Sequence, residues 1–124
     1  MERTYKIAII DDETEILNML SRFLTKNGKF SVTTFSNPVH GVSAVERDDF
    51  DLVLLDIMMP QMNGLEALEK IMKSKEDQKV VIMTAYSTLD RVLKSHKVGA
   101  TNYVMKPFDS LQALETKITE VLKS

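Results

Sequence analysis

Five short apolar runs, near Tyr5–Ile10, Phe30–Phe35, Leu52–Leu55, Lys79–Thr84 and Asn102–Met105, alternate with segments in which apolar residues recur at helical spacing. No other feature constrains the fold as much, because period-2 and period-3.6 segments in strict alternation define βα units. The first helical set is Ile16, Leu17, Leu20, Phe23 and Leu24, and Asn27-Gly28 stops it. Asn37 is placed to cap a second helix with Pro38 at its first position, running to about Arg47. The third strand ends at Asp56, and residues 57–64 form a loop by their Pro and Asn-Gly content before a helix carrying Leu65, Leu68, Ile71 and Met72. Ser87-Thr88-Leu89-Asp90 has the form of a capping box for a helix with Leu89, Val92, Leu93 and His96, which Gly99 terminates. Lys106-Pro107 breaks the fifth strand, and Asp109 or Ser110 can cap a last helix with Leu111, Leu114, Ile118 and Val121.

Strands apolar on both faces and alternating with helices predict an α/β fold, a mostly parallel sheet covered on both sides, with right-handed crossovers. For five units the commonest doubly wound, flavodoxin-like order is 2-1-3-4-5, which puts the binding crevice between the carboxyl ends of strands one and three. The 124 residues are the length of one domain, expected over 1–124 with no linker or output domain, and 44% hydrophobic residues are enough for a core. Sixteen basic against 18 acidic residues give no electrostatic reason to bind nucleic acid or an anionic membrane. There is no cysteine, which excludes disulfides, thiolate catalysis and thiolate-bound metals. Neither a signal peptide nor a membrane span fits the first residues, so the default location is the cytoplasm.

The chemistry-bearing residues stand at the strand ends. Asp11-Asp12 follow strand one, Asp56 closes strand three, Thr84-Ala85 follow strand four and Lys106-Pro107 follow strand five. Carboxylates crowded there repel by roughly 4 kcal/mol per close pair at an effective dielectric near 20, and they call for a cation. An oxygen-only set without His or Cys favours a hard one, Mg²⁺ or alternatively Mn²⁺. The alternative is that the aspartates cap helices and the lysine is a solvated charge, but three acids and one lysine on one rim favour the site. The eight methionines read as packing and loop filler, and His40 and His96 as surface or boundary residues of helices.

The Asp11-Asp12 pair, the run from Leu52 through Asp56 and Met58-Met59-Pro60 to Gly64, the Thr84-Ala85 step and Lys106-Pro107-Phe108 together make the chain resemble, over essentially its whole length, the receiver domains of bacterial two-component response regulators. The resemblance implies that Asp56 accepts a phosphoryl group from a sensor histidine kinase or phosphotransfer protein. It implies that Asp12 and Asp56 bind Mg²⁺ directly, Asp11 largely through water, and the Met58 backbone carbonyl as a further ligand. Lys106, aimed by a cis peptide before Pro107, would reach a phosphoryl oxygen, with the Thr84 hydroxyl and the Ala85 backbone N–H approaching the same group. Thr84 and Tyr103 would move together as the switch. A structural threonine and a half-buried core aromatic are the competing readings of those two residues. Met58 and Tyr86 are also expected to border the phosphoryl group.

Phosphorylation adds nearly two negative charges and would shift the population toward a conformer with Thr84 and Lys106 drawn in. By resemblance, the surface that changes comprises roughly 87–98, 102–105 and 110–121, with Arg91, Lys94, Lys97 and Lys117 as contact residues. Its reader would be a downstream protein, a missing output domain or, in a phosphorylation-dependent homodimer, a second copy. The chain then acts only on its own phosphorylation and dephosphorylation. Two other readings stand beside this one. A phosphorylation-independent adaptor would lack an acid or the lysine, and an aspartate-nucleophile phosphatase would carry D-x-D where this chain has Asp11-Asp12-Glu13. Flavin binding fails because that acidic loop would repel phosphate.

Overall fold

A computed structural model describes residues 3–26, 28–59, 62–85 and 89–124 of the chain, with the side chains at 89–91 and 93 also outside the description. The elements are β1 (Tyr5–Ile10), α1 (Thr14–Thr25), β2 (Phe30–Phe35), α2 (Pro38–Arg47), β3 (Leu52–Asp56), α3 (Gly64–Ser74), β4 (Val80–Thr84), α4 (Leu89–Val98), β5 (Asn102–Met105) and α5 (Leu111–Lys123). All strand pairs are parallel and the order is β2-β1-β3-β4-β5, the expected doubly wound sheet.

Period-2 alternation divides the strand side chains between two cores. Ile7, Ile9, Leu52, Leu54, Val81 and Met83 pack against Leu17, Leu20 and Leu24 of α1 and Leu114, Ile118 and Val121 of α5. Ala8, Ile10, Val53, Leu55, Val80 and Ile82 face the other way, against Val42 and Val45 of α2 and Ala67, Leu68 and Ile71 of α3. Every residue of β3 is buried, which fixes where the chain emerges at Asp56. Each large aliphatic side chain buried in this way contributes about 1.5–3 kcal/mol.

Local chemistry accounts for the element ends. Asn37 Oδ1 accepts from the backbone N–H groups of Val39 (2.9 Å) and His40 (3.4 Å) at the start of α2. Ser110, rather than Asp109, caps α5, its Oγ accepting from Ala113 N at 3.0 Å. The first helix runs to Thr25 with Lys26 as its C-cap, and Gly28, with a φ of 70°, turns the chain into β2, as the expected stop requires. The fourth strand starts at Val80 rather than Lys79, although the Lys79 carbonyl still accepts from Val53 N at 2.9 Å. The capping-box start at Ser87 and Thr88 lies outside the described residues.

The start of α3 lies close against the end of β3. Gly64 N donates to the Ile57 carbonyl at 2.9 Å, and Asn63 caps the helix by accepting from Glu66 N at 3.0 Å. A Cβ at position 64 would lie 2.3 Å from Ile57 Cα and 2.6 Å from the Asp56 carbonyl oxygen, both backbone atoms with no freedom to withdraw. Gly64→Ala is therefore expected to lower stability by about 1–3 kcal/mol, as overpacking does. Urea unfolding measures this, and an unchanged midpoint would contradict the contact.

Candidate metal and phosphoacceptor site

The sheet register brings the strand-end residues together. Ile10 pairs with Leu55 and Asp56 with Met83, so one further step along β1 sets Asp11 beside Asp56. Thr84 pairs with Met105, and one further step along β5 reaches Lys106. The buried strands below hold these positions, and the side chains meet where the strands end. Oxygens of Asp11, Asp12 and Asp56 lie within 4.8 Å of one another.

Asp11 is fully buried, and both of its oxygens are engaged. Oδ1 accepts from Glu13 N at 2.9 Å, and Oδ2 accepts from Lys106 Nζ at 2.6 Å. Lys106 Nζ also lies 3.2 Å from Glu13 Oε1 and 3.6 Å from Asp56 Oδ1, so one ammonium faces three carboxylates. Asp56 is 4% exposed, and its Oδ1 accepts from Met58 N at 3.3 Å. The Lys106–Pro107 peptide is cis. Thr84 is buried within this rim, with its hydroxyl donating to the Ala85 carbonyl at 3.3 Å.

The other candidates lie around this centre. Met58 is 49% exposed, at the mouth of the site, whereas Met59 is buried in the core and Met62 packs against it. Tyr103 is 38% exposed, with Lys117 Nζ 5.4 Å from its ring centroid and donating to its carbonyl at 3.1 Å, so its reading as a core aromatic is set aside. His40 and His96 are exposed, as the surface reading has it. Tyr86, Pro60 and Gln61 lie outside the described residues, as does the side chain of Arg91.

Two participants escaped the sequence. Asn63 caps α3 in the pattern Asn63-x-x-Glu66, which resembles a capping box and was legible in principle. Glu13 is the larger omission. It occupies the N-cap position of α1 without making a side-chain cap bond, and its carboxylate goes to Lys106 instead. Nothing local signals that pairing, since 93 residues separate the partners.

Electrostatics explains what this arrangement can do. Burial and the neighbouring Asp11 carboxylate, with a smaller push from Asp12, raise the Asp56 pKa to about 7, against the opposing pull of Lys106 and the Met58 N–H. For Lys106, burial works against the ammonium, but the Asp11 bond, Asp56 and Glu13 outweigh it and hold the pKa above its ordinary value. Three clustered carboxylates and one lysine leave an excess of negative charge, and an oxygen-only set of this kind fits a hard divalent cation.

Without a cation, the raised Asp56 pKa has a definite sign. Between about pH 4 and pH 7 the folded state keeps a proton that the unfolded chain has lost, so this group's contribution to stability is present at low pH and is lost as pH rises through 7. The slope is at most about 1.4 kcal/mol per pH unit. Asp56→Asn is expected to remove that loss and to make the protein more resistant to urea at pH 8 in the presence of a chelator. Urea titrations of both proteins at pH 5 and pH 8 check this, and identical pH dependence in the two would contradict it.

Comparison with known proteins agrees with the geometry. The chain is 36% identical over 121 residues to the chemotaxis protein CheY of Treponema pallidum, covering 96% of this chain and 83% of that protein. It is 36% identical to the sporulation initiation phosphotransferase F of Bacillus subtilis, covering 84% and 83% of the two chains. Among solved structures, a CheY-like receiver domain protein from Methanospirillum hungatei superposes with a TM-score of 0.91 at 34% identity, covering 98% and 95%. The chain spans about half the length of several transcriptional regulators it also matches. The family model described as the response regulator receiver domain matches residues 7–119, and the chain belongs to that family.

Proposed function

We propose that Asp56 is the phosphoacceptor of this receiver domain and that residues 1–124 work as one phosphorylation-dependent switch. The observation that carries this is the convergence of Asp11, Asp12 and Asp56 within 4.8 Å, with Lys106 Nζ 3.6 Å from Asp56. An Asp56 oxygen attacks the phosphorus of the donor as the bond from phosphorus to the leaving group breaks. With a phosphohistidine donor the electron pair returns to the imidazole nitrogen, which takes up a proton. Lys106, already held at the rim, neutralises charge on a phosphoryl oxygen, and the rigid end of β3 fixes the line of attack.

Mg²⁺, or Mn²⁺ in its place, fits the acidic set, with Asp12, Asp56 and the Met58 carbonyl as ligands and Asp11 acting through water. When bound, it supplies positive charge to the phosphoryl oxygens. In this reading the Thr84 hydroxyl and the Ala85 N–H follow the new phosphoryl group, with Tyr103 responding at the surface. The donor is a sensor histidine kinase or phosphotransfer protein, and the chain catalyses only its own phosphorylation and dephosphorylation. The changed surface, around α4, β5 and α5, is read by a downstream protein, an output domain or a second copy. We place the switch in the cytoplasm; no helix among the described residues is long and apolar enough to cross a membrane. The adaptor reading has no residue in its favour, since none of the acids nor the lysine is missing.

Intact-mass spectrometry with acetyl phosphate tests this reading. Addition of one phosphoryl group is expected with Mg²⁺, none with a chelator, and none on Asp56→Asn. A folded, Mg²⁺-binding protein that never gains the group would overturn the assignment.

A further inference from the structure

We infer that Glu13 is a positioning residue that holds Lys106 in its resting place and is the partner Lys106 gives up when Asp56 is phosphorylated. This rests on Asp56 being the phosphoacceptor. An ammonium has three N–H donors, and three carboxylates stand within ion-pair range of Lys106 Nζ: Asp11 at 2.6 Å, Glu13 at 3.2 Å and Asp56 at 3.6 Å. Asp11 and Glu13 lie within hydrogen-bond distance and Asp56 does not, so a movement of Nζ toward a phosphoryl group on Asp56 stretches those two bonds.

The burial of the partners decides which of the two gives way. Asp11 is inaccessible to water, and leaving its carboxylate unpaired would incur the full penalty of a buried charge. Asp56 carries the incoming group. The Glu13 side chain is 60% exposed, so water solvates it on release and the exchange costs little. Glu13 is also directed to this task by the backbone. Its N–H donates to Asp11 Oδ1 at 2.9 Å, folding the loop so that its carboxylate comes to Lys106, and it makes no side-chain cap bond for α1.

Glu13 thus opposes the movement of Lys106 toward the phosphoryl group. Weakening its hold speeds phosphorylation by about two- to five-fold, the range expected for a half-exposed ion pair. Charge repulsion between Glu13 and an anionic donor predicts the same sign for Glu13→Gln. Glu13→Asp separates the two causes, because it keeps the charge but is one methylene too short to keep the contact.

The experiment is a set of intact-mass time courses with acetyl phosphate at saturating Mg²⁺, for wild type, Glu13→Gln, Glu13→Asp, and Glu13→Gln in a Lys106→Gln background. Both single variants are expected to gain the phosphoryl group faster than wild type. In the Lys106→Gln background, the Glu13→Gln change is expected to alter the rate by less than about 1.5-fold, since the partner is gone. A Glu13→Asp rate equal to wild type, no acceleration in Glu13→Gln, or a full Glu13 effect without Lys106 would each overturn the inference. A wild-type protein that takes no phosphoryl group would instead overturn the phosphoacceptor reading on which the inference rests.

Discussion

The contact between the Lys106 ammonium and the buried Asp11 carboxylate is the interaction on which the site depends. Asp11 follows β1 and Lys106 follows β5, and between these strands lie β3 and β4, so the pair closes over the carboxyl edge of the sheet. Without that lysine, three carboxylates within 4.8 Å would face one another across a poorly solvated rim. With it, the cluster remains negative but tolerable, a state suited to taking up a cation and then a phosphoryl group. The raised pKa of Asp56 records the same tension, because the protein holds a carboxylate where its charge is costly.

The core meets that cost by rigidity. β1, β3 and β4 are covered on both faces, and every residue of β3 and β4 is buried, so Asp56 and Thr84 project from elements that cannot drift. Gly64 belongs to the same design, since α3 starts against the backbone of Asp56 and Ile57 with no room for a Cβ. More open groups lie on the wet side of the rim. The Glu13 side chain is 60% exposed, and Met58 and Tyr103 are partly so, and contacts of such groups can exchange with water at small cost. A rigid floor with adjustable edges is what a population shift requires, because a charge added at the rim would then act on a few side chains rather than on the whole domain.

Much of this was legible beforehand for a physical reason. Helical and strand periods are local, and so the ten elements and the parallel sheet followed from Val80-Val81-Ile82-Met83 and similar runs, while the strand order was expected as the commonest one for five βα units. The convergence of Asp11, Asp12, Asp56, Thr84 and Lys106 followed in turn, because a parallel sheet sends every strand's carboxyl end to one edge. Element ends were read less well. The choice of Ser110 over Asp109 as a cap depends on a single hydrogen bond among near-equivalent residues, and β4 starts at Val80 rather than Lys79.

What the sequence determined by itself, then, was the set of elements and the residues carried at the strand ends, since each depends on periodicity or on position along a strand. Which carboxylate meets which nitrogen was decided only in three dimensions. Asp11 is sealed from water while Glu13, two residues on, stays open to it, and both reach the same lysine more than ninety residues away in the chain. Burial and long-range pairing arise from packing, and no local pattern encodes them. The difference between a carboxylate sealed from water and one open to it, both on Lys106, exists only in the folded protein.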